Sequence, residues 1–180
     1  MKLLLHTCCA PCLIYPLERL REKNYEVTGF FYNPNIHSSA EYKFRKQAVE
    51  GYAADADCQV LVPEYKPEEF FRAVHMQEIA PDRCTICWSL RLRKTAQIAM
   101  EKGFNLFSTT LLVSPYQDQL SLRHIGSDIA AKQDLEFYYE DFRSGFRKAH
   151  ETARARGIYC QKYCGCIYSE IERSKSKSTS

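Results

Sequence analysis

The stretch KLLLHTCCAPC, residues 2–12, joins a short apolar run to three cysteines within five positions. KLLLH (2–6) reads as a buried strand. Leu13 to Asn24 reads as the helix that follows, with Pro16 near its first turn, where proline is tolerated. A strand that turns tightly into a helix opens an α/β unit. In nucleotide-binding members of that class the turn is a glycine-rich phosphate loop. Here it holds thiols and a proline. The chain has only seven glycines and neither GxGxxG nor GxxxxGK[ST], which argues against a conventional dinucleotide or P-loop site.

Outward from this stretch, strand and helix patterns alternate. EVTGFFYN (26–33) is a second strand, stopped by NPN. SSAEYKFRKQAVEGYAAD is helical, and Ser38 and Glu41 have capping-box spacing. CQVLVPE (58–64) is a third strand and PEEFFRAVHM a short helix. Thr85 to Lys102 is a longer helix ended by Gly103. FNLFSTTLL (104–112) is a fourth strand, followed by a helix around 116–133. LEFYYEDF (135–142) is a fifth strand, and a last helix covers 145–156. This alternation predicts an α/β fold: an open, mostly parallel sheet with helices on both faces. One domain is expected over residues 1–171, with a polar basic tail over 172–180.

In such sheets sites gather where the strands end. TCCAPC follows strand one, SPYQDQ strand four and DFRSGF strand five, so these segments are expected at one rim, joined by FYNPNIH after strand two. His6 is read as a core histidine, with a hydrogen bond to a metal-bound sulfur as its alternative. Tyr116, Gln117, Asp118, Asp141 and Arg143 fall in the predicted strand-end loops.

The chain has 180 residues, 45% of them hydrophobic and 13% aromatic, enough for one core without disulfides. Net charge is +3, too little to argue for nucleic acid by itself. Its distribution says more. Residues 143–162 carry Arg143, Arg147, Lys148, Arg154, Arg156 and Lys162 against the single acid Glu151. No run of 18 apolar residues occurs, so no membrane span is expected, and the N-terminus lacks the pattern of a secretory signal. A cytoplasmic location is expected.

Nine cysteines inside a cell point to metal or redox chemistry rather than static crosslinks. Cys84 and Cys87 form a CxxC at the start of a helix, where thiolate charge is stabilised. With two sulfurs from Cys8, Cys9 and Cys12 they supply four thiolates, which suits zinc or a [4Fe–4S] cluster. Spacing does not choose between these metals, nor does it say which of Cys8 and Cys12 joins Cys9. Cys58 opens an apolar strand and reads as a small buried hydrophobe. In YCGC, Cys164 and Cys166 flank Gly165. A disulfide between them closes a tight, labile ring, so the pair reads as a redox element, with metal ligation as the competitor. Cys160 is a resolving thiol, a ligand or neither. Tyr159, Tyr163 and Trp88 are core residues or stacking surfaces for bases.

Taken in order, LLHTCCAPC, FYNPNIHSSAEYKFRKQ, RCTICWSLRL, TTLLVSPYQ, EDFR and YCQKYCGCIYS resemble the iron–sulfur epoxyqueuosine reductases of the QueH type, over about residues 3 to 170. The resemblance implies a fold similar to adenine-nucleotide α-hydrolase-like (HUP) domains. It implies reduction of epoxyqueuosine to queuosine at the wobble position of tRNA, the last step of queuosine biosynthesis. It places a [4Fe–4S] cluster on Cys8, Cys9, Cys84 and Cys87, and a redox-active disulfide on Cys164 and Cys166. It adds an iron ion beside the cluster, for which Cys12 and Asp141 are the candidate ligands. Asp141 is also a candidate for proton delivery. The implied partners are tRNA carrying epoxyqueuosine and an electron donor whose identity is open. Where relatives often have serine after the third cysteine, this chain has Leu13. Two other classes fit the residues alone: a tRNA-binding module with structural zinc, and a tRNA sulfur-transfer enzyme.

Overall fold

The computed structural model describes residues 1–178, with side chains to residue 175. Five strands form one parallel sheet in the order β3-β2-β1-β4-β5. They are β1 (Lys2–His6), β2 (Glu26–Phe30), β3 (Val60–Leu61), β4 (Leu106–Thr109) and β5 (Glu136–Phe137). Among the described residues seven helices connect and flank them: α1 (Ala10–Glu22), α2 (Ser39–Asp55), α3 (Pro67–Val74), α4 (Asp82–Glu101), α5 (Gln119–Ala131), α6 (Phe146–Ala155) and α7 (Ile167–Ser178). α1 packs on α2 and α6, whereas α4 packs on α3 and α5. These two helical layers cover the two faces of the sheet.

The central strands are buried on both faces, so they read as apolar runs. Leu3, Leu4 and Leu5 are fully buried, as is Phe107, and Leu106 nearly so. The two edge strands are shorter than the sequence predicts, with two residues each. At one edge Pro63 cannot donate to a ladder. At the other, Asp141 turns the chain into a 3-10 turn over Phe142–Gly145 by accepting from the Arg143 N–H at 3.1 Å. Strand four likewise ends at Thr109, whose hydroxyl accepts from the Leu111 N–H at 3.1 Å and starts a second 3-10 turn, Thr110–Val113.

α1 begins three residues before the predicted start. Pro11 takes the first-turn position and Pro16 lies inside the helix. Without an N–H, Pro16 leaves the carbonyl of Cys12 without its helical donor. The helix nonetheless holds because Leu13, Leu17 and Leu20 are buried beneath it. The expected tail boundary at residue 172 falls inside α7, which continues to Ser178. Glu172 explains part of this: its two carboxylate oxygens accept from the buried Arg83 guanidinium at 2.8 and 2.9 Å. Residues 179 and 180 of the expected tail lie outside the described residues.

The chain leaves β1 toward one helical layer and β4 toward the other. The gap between these neighbouring strands is therefore the switch point of the sheet, where ligands of open α/β folds sit. His6 pairs with Thr109 across that gap.

Candidate functional site

Cys8, Cys9 and Cys12 stand at the switch point. Their sulfur atoms all lie within 4.8 Å of one another, and those of Cys8 and Cys9 are 3.7 Å apart. Two local features produce this. Cys9 is the extended N-cap residue of α1 and its side chain makes no capping bond, so the thiol is free to turn inward. Thr110, at the end of β4, accepts from the Cys8 N–H at 3.1 Å and donates to Cys8 Sγ at 3.3 Å. From the far end of the chain, the Gln161 side-chain amide donates to Cys9 Sγ at 2.8 Å.

The three thiols do not ionise alike. Hydrogen bonds from Cys12 and Cys9, helped by Thr110, hold Cys8 well below the usual thiol range. Burial pushes Cys9 up, and the Cys8 sulfur pushes Cys12 up. One thiolate is easily formed and the next two are opposed by it. A cation reverses that opposition, because thiolates are its ligands. Three soft donors at this spacing fit a thiophilic centre of the zinc or iron–sulfur kind.

A second set of sulfurs lies on α4 and in the loop before α7. Cys84 and Cys87 are on the first turns of α4, half-buried and buried respectively. Cys87 and Cys166 share a small apolar cluster with Phe70 and Val74. Cys164 is exposed, with its sulfur 3.8 Å from that of Cys166 and 2.9 Å from Ser169 Oγ. Hydrogen bonding from Cys166 lowers the Cys164 thiol, while the Cys164 sulfur raises Cys166. One contact thus drives the two thiols apart in acidity. Gly165 bridges the two at φ +121°, a conformation other residues rarely adopt. Burial raises Cys84, and it raises Cys87 to about 11.

Two buried arginines organise these groups, and the sequence reading passed over both. Arg45 donates to Glu41 at 2.7 Å and to the carbonyls of Cys164 and Tyr163 at 3.1 Å each. It thereby fixes the YCGC loop against α2. Arg91 lies one helical turn beyond Cys87 and donates to that residue's carbonyl at 3.2 Å. Among the described residues it has no carboxylate partner, and its charge acts on Cys87, Cys164 and His6. A buried cation without a carboxylate is costly unless other negative groups face it. Among the sulfurs it acts on, Cys164 is the one held toward the thiolate. The i, i+4 spacing of Glu41 to Arg45 and of Cys87 to Arg91 was the available signal.

His6 has the core role. Its Nε2 lies 3.2 Å from the Tyr32 carbonyl and its Nδ1 2.9 Å from Thr109 Oγ1. A carbonyl only accepts, so Nε2 carries the proton. Burial, reinforced by Arg91, holds the imidazole down to about 3. An unfolded histidine takes up its proton near pH 6.5, so acid favours the unfolded chain across the window from about 6.5 to 3. The metal-free chain is expected to lose about 2 kcal/mol of stability to this residue between pH 7 and pH 5. Urea midpoints measured against pH check it, with a His6→Gln chain expected to show a flatter dependence. Equal slopes in both chains would refute the assignment.

His37, before α2, accepts the Ile167 N–H at 3.2 Å on Nδ1 and receives the Tyr163 hydroxyl on its carbonyl at 2.5 Å. The FYNPNIH segment thus joins the rim as expected. Asp141 lies outside the close Cys8, Cys9 and Cys12 group. Its carboxylate is bound by Arg143 through Nε and Nη2, which holds it below the usual carboxylate range. Trp88 is buried, with Nε1 donating to Gln117 at 2.8 Å, and Asp118 caps α5. Tyr116 is 83% exposed. Cys58 is buried with its sulfur near the carbonyls of Val27 and Gln59, and Cys160 is half-buried near the carbonyl of Ile158.

This thiol-lined switch point coincides with a sequence match. Residues 3–172 fit the family model described as epoxyqueuosine reductase QueH. The chain belongs to that family. An epoxyqueuosine reductase QueH of Dehalococcoides mccartyi is 34% identical over 173 residues, covering 96% of this chain and 94% of the relative. One of Thermotoga maritima is 36% identical over 178 residues, covering 94% and 91%. In fold, the chain resembles a solved structure from Methanocaldococcus jannaschii described as a "predicted subunit of tRNA methyltransferase". The TM-score is 0.55 at 12% identity, over 85% of this chain and 76% of the other. The architecture is the expected α/β class, an open parallel sheet with helices on both faces.

Proposed function

We propose that this chain, like the family to which it belongs, reduces epoxyqueuosine to queuosine at the wobble position of tRNA, the last step of queuosine biosynthesis. The observation that carries the reading is the gathering of Cys8, Cys9 and Cys12 at the switch point, with the close Cys164/Cys166 pair as a second sulfur group. The reaction adds two electrons and two protons to the epoxide and releases its oxygen as water. In our reading Cys8, Cys9, Cys84 and Cys87 hold a [4Fe–4S] cluster, and Cys12 with Asp141 is assigned to an iron ion beside it. When bound, the cluster supplies electrons one at a time.

The chain's own residues do the rest. Cys164, held as a thiolate, and Cys166 store two reducing equivalents as a dithiol and release them as a disulfide. Arg45 holds the backbone of that pair in place. Arg91 keeps negative charge on the neighbouring sulfurs favourable. The basic segment 143–162 positions tRNA phosphates. Asp141 is assigned to proton delivery; reaching the substrate requires release from Arg143. The substrate implies a cytoplasmic location, and among the described residues no helix is long and apolar enough to cross a membrane.

The test is anaerobic incubation of the iron-loaded chain with epoxyqueuosine-containing tRNA and a chemical reductant, followed by mass analysis of the nucleosides. Loss of one oxygen atom is expected. A brown chain with about four irons should carry the activity. An intact cluster without oxygen loss overturns the proposal. A colourless chain with one zinc would instead mark a binding module, and a gain of sulfur mass a sulfur-transfer enzyme.

A further inference from the structure

α2 and the turn after α6 enclose an open groove of about 430 Å³, within the range of small-ligand clefts. Phe44, Gln47, Gly51, Asp55, Arg156 and Tyr159 are among the residues that line it. Three features of this groove are not explained by folding.

The first is a pair of exposed aromatic rings. Phe44 is 54% and Tyr159 38% exposed, with ring centres 5.6 Å apart. The second is Gly51, in the interior of α2, where glycine is the least favourable residue after proline. A Cβ at this position would meet nothing within 4 Å, and the backbone is not left-handed. Neither packing nor conformation requires glycine here. What its bareness does is leave the groove open. The third is charge. Lys43 beside Phe44, Arg154 before the turn and Lys162 after it are exposed, and none has an ion-pair partner among the described residues. Arg156 bonds Asp55 at 2.9 Å and stands over the Tyr52 ring at 5.4 Å. Aromatic faces bordered by unpaired cations fit a nucleotide, in which a base stacks and a phosphate is neutralised.

We propose that this groove takes one unpaired base of the tRNA substrate, outside the nucleotide being reduced, stacked on Phe44 and Tyr159. The proposal rests on the tRNA reading given above. The groove is tied to the thiol rim. The Tyr159 hydroxyl donates to Glu41 at 2.5 Å, Glu41 accepts from Arg45 at 2.7 Å, and Arg45 holds the carbonyls of Tyr163 and Cys164. A base seated in the groove is thereby fixed in position relative to the redox loop.

The experiment measures binding of the full chain to epoxyqueuosine-containing tRNA by anisotropy as salt is varied. Gly51→Trp fills the groove from a helix position with free space. Phe44→Ala removes a stacking face without adding bulk, which keeps the test valid if Gly51→Trp fails to fold. Each is expected to weaken tRNA binding at least about fivefold, the low end of the effect of losing one stacked base. The salt dependence should stay that of the wild type. Lys43→Ala should instead lower the salt slope by about one. In turnover the loss should fall on KM rather than kcat, as for uniform binding. Wild-type affinity in a folded Phe44→Ala or Gly51→Trp chain overturns the groove proposal while leaving the tRNA reading intact. A wild-type chain that binds no tRNA overturns both.

Discussion

A Cys84→Ala chain is expected to purify with depleted iron and to lose epoxyqueuosine reduction by more than about a hundredfold, beyond the 10- to 100-fold typical of residues that only support a ligand. The prediction is demanding because the sulfur atoms do not fall into one four-membered set. Cys8, Cys9 and Cys12 form the close group, whereas Cys84 and Cys87 lie outside it, on the first turns of α4. A four-thiolate centre must span both. Removing Cys84 leaves three sulfurs, and Arg83 loses a neighbour whose negative charge favours it. The matched experiment is Cys12→Ala. If Cys12→Ala strips the iron while Cys84→Ala retains full iron and activity, the ligand set is Cys8, Cys9 and Cys12, and the assignment to Cys84 and Cys87 fails. Cys58→Ala is the internal control. Its sulfur lies near the Val27 and Gln59 carbonyls, so its loss should register in stability and leave the iron content unchanged.

How far the sequence reaches is clear from particular residues. KLLLH followed by thiols was enough to place β1, the rim and the absence of a phosphate loop, because strand and helix periods are local properties. The outer ends of CQVLVPE and LEFYYEDF did not stay extended, because an edge strand has only one neighbour. Pro63 and the Asp141 turn then decide where each stops. Cys58 and His6 were legible as core residues from the apolar runs around them. Arg45 and Arg91 were not. A charged residue on a helix is usually solvated. Only the packed chain shows Arg45 turned toward Tyr163 and Cys164, more than a hundred residues away. Tyr159 sits between these cases. The sequence left it as core or stacking surface, and its exposure beside Phe44 favours the surface.

A Cys164→Ser chain is expected to keep its iron and colour yet to fall in multiple-turnover rate by on the order of a hundredfold, the low end of what a positioned proton-transferring group contributes. Cys164 is exposed, and hydrogen bonding from Cys166 holds it below the usual thiol range. It is therefore a thiolate at pH values where ordinary thiols near pKa 8.5 are mostly protonated. Serine keeps the size but has no such anion. The two sulfurs lie 3.8 Å apart, and a disulfide at about 2.05 Å needs only a short approach, made possible by the flexible backbone of Gly165. Forming that bond from the Cys164 thiolate and the Cys166 thiol releases two electrons, the number that removal of one epoxide oxygen as water consumes, and one of the two protons required; solvent supplies the other. Thiol counting before and after a single turnover without added reductant should then show two thiols lost in the wild type and none in Cys164→Ser. Brief alkylation near pH 7 should mark Cys164 ahead of Cys166, because Cys166 is pushed upward by the same contact. Unchanged turnover in Cys164→Ser would leave the pair without a redox role. Iron loss in the same variant would move Cys164 into the ligand set, where its influence on Cys84 and Cys87 already places it within electrostatic reach.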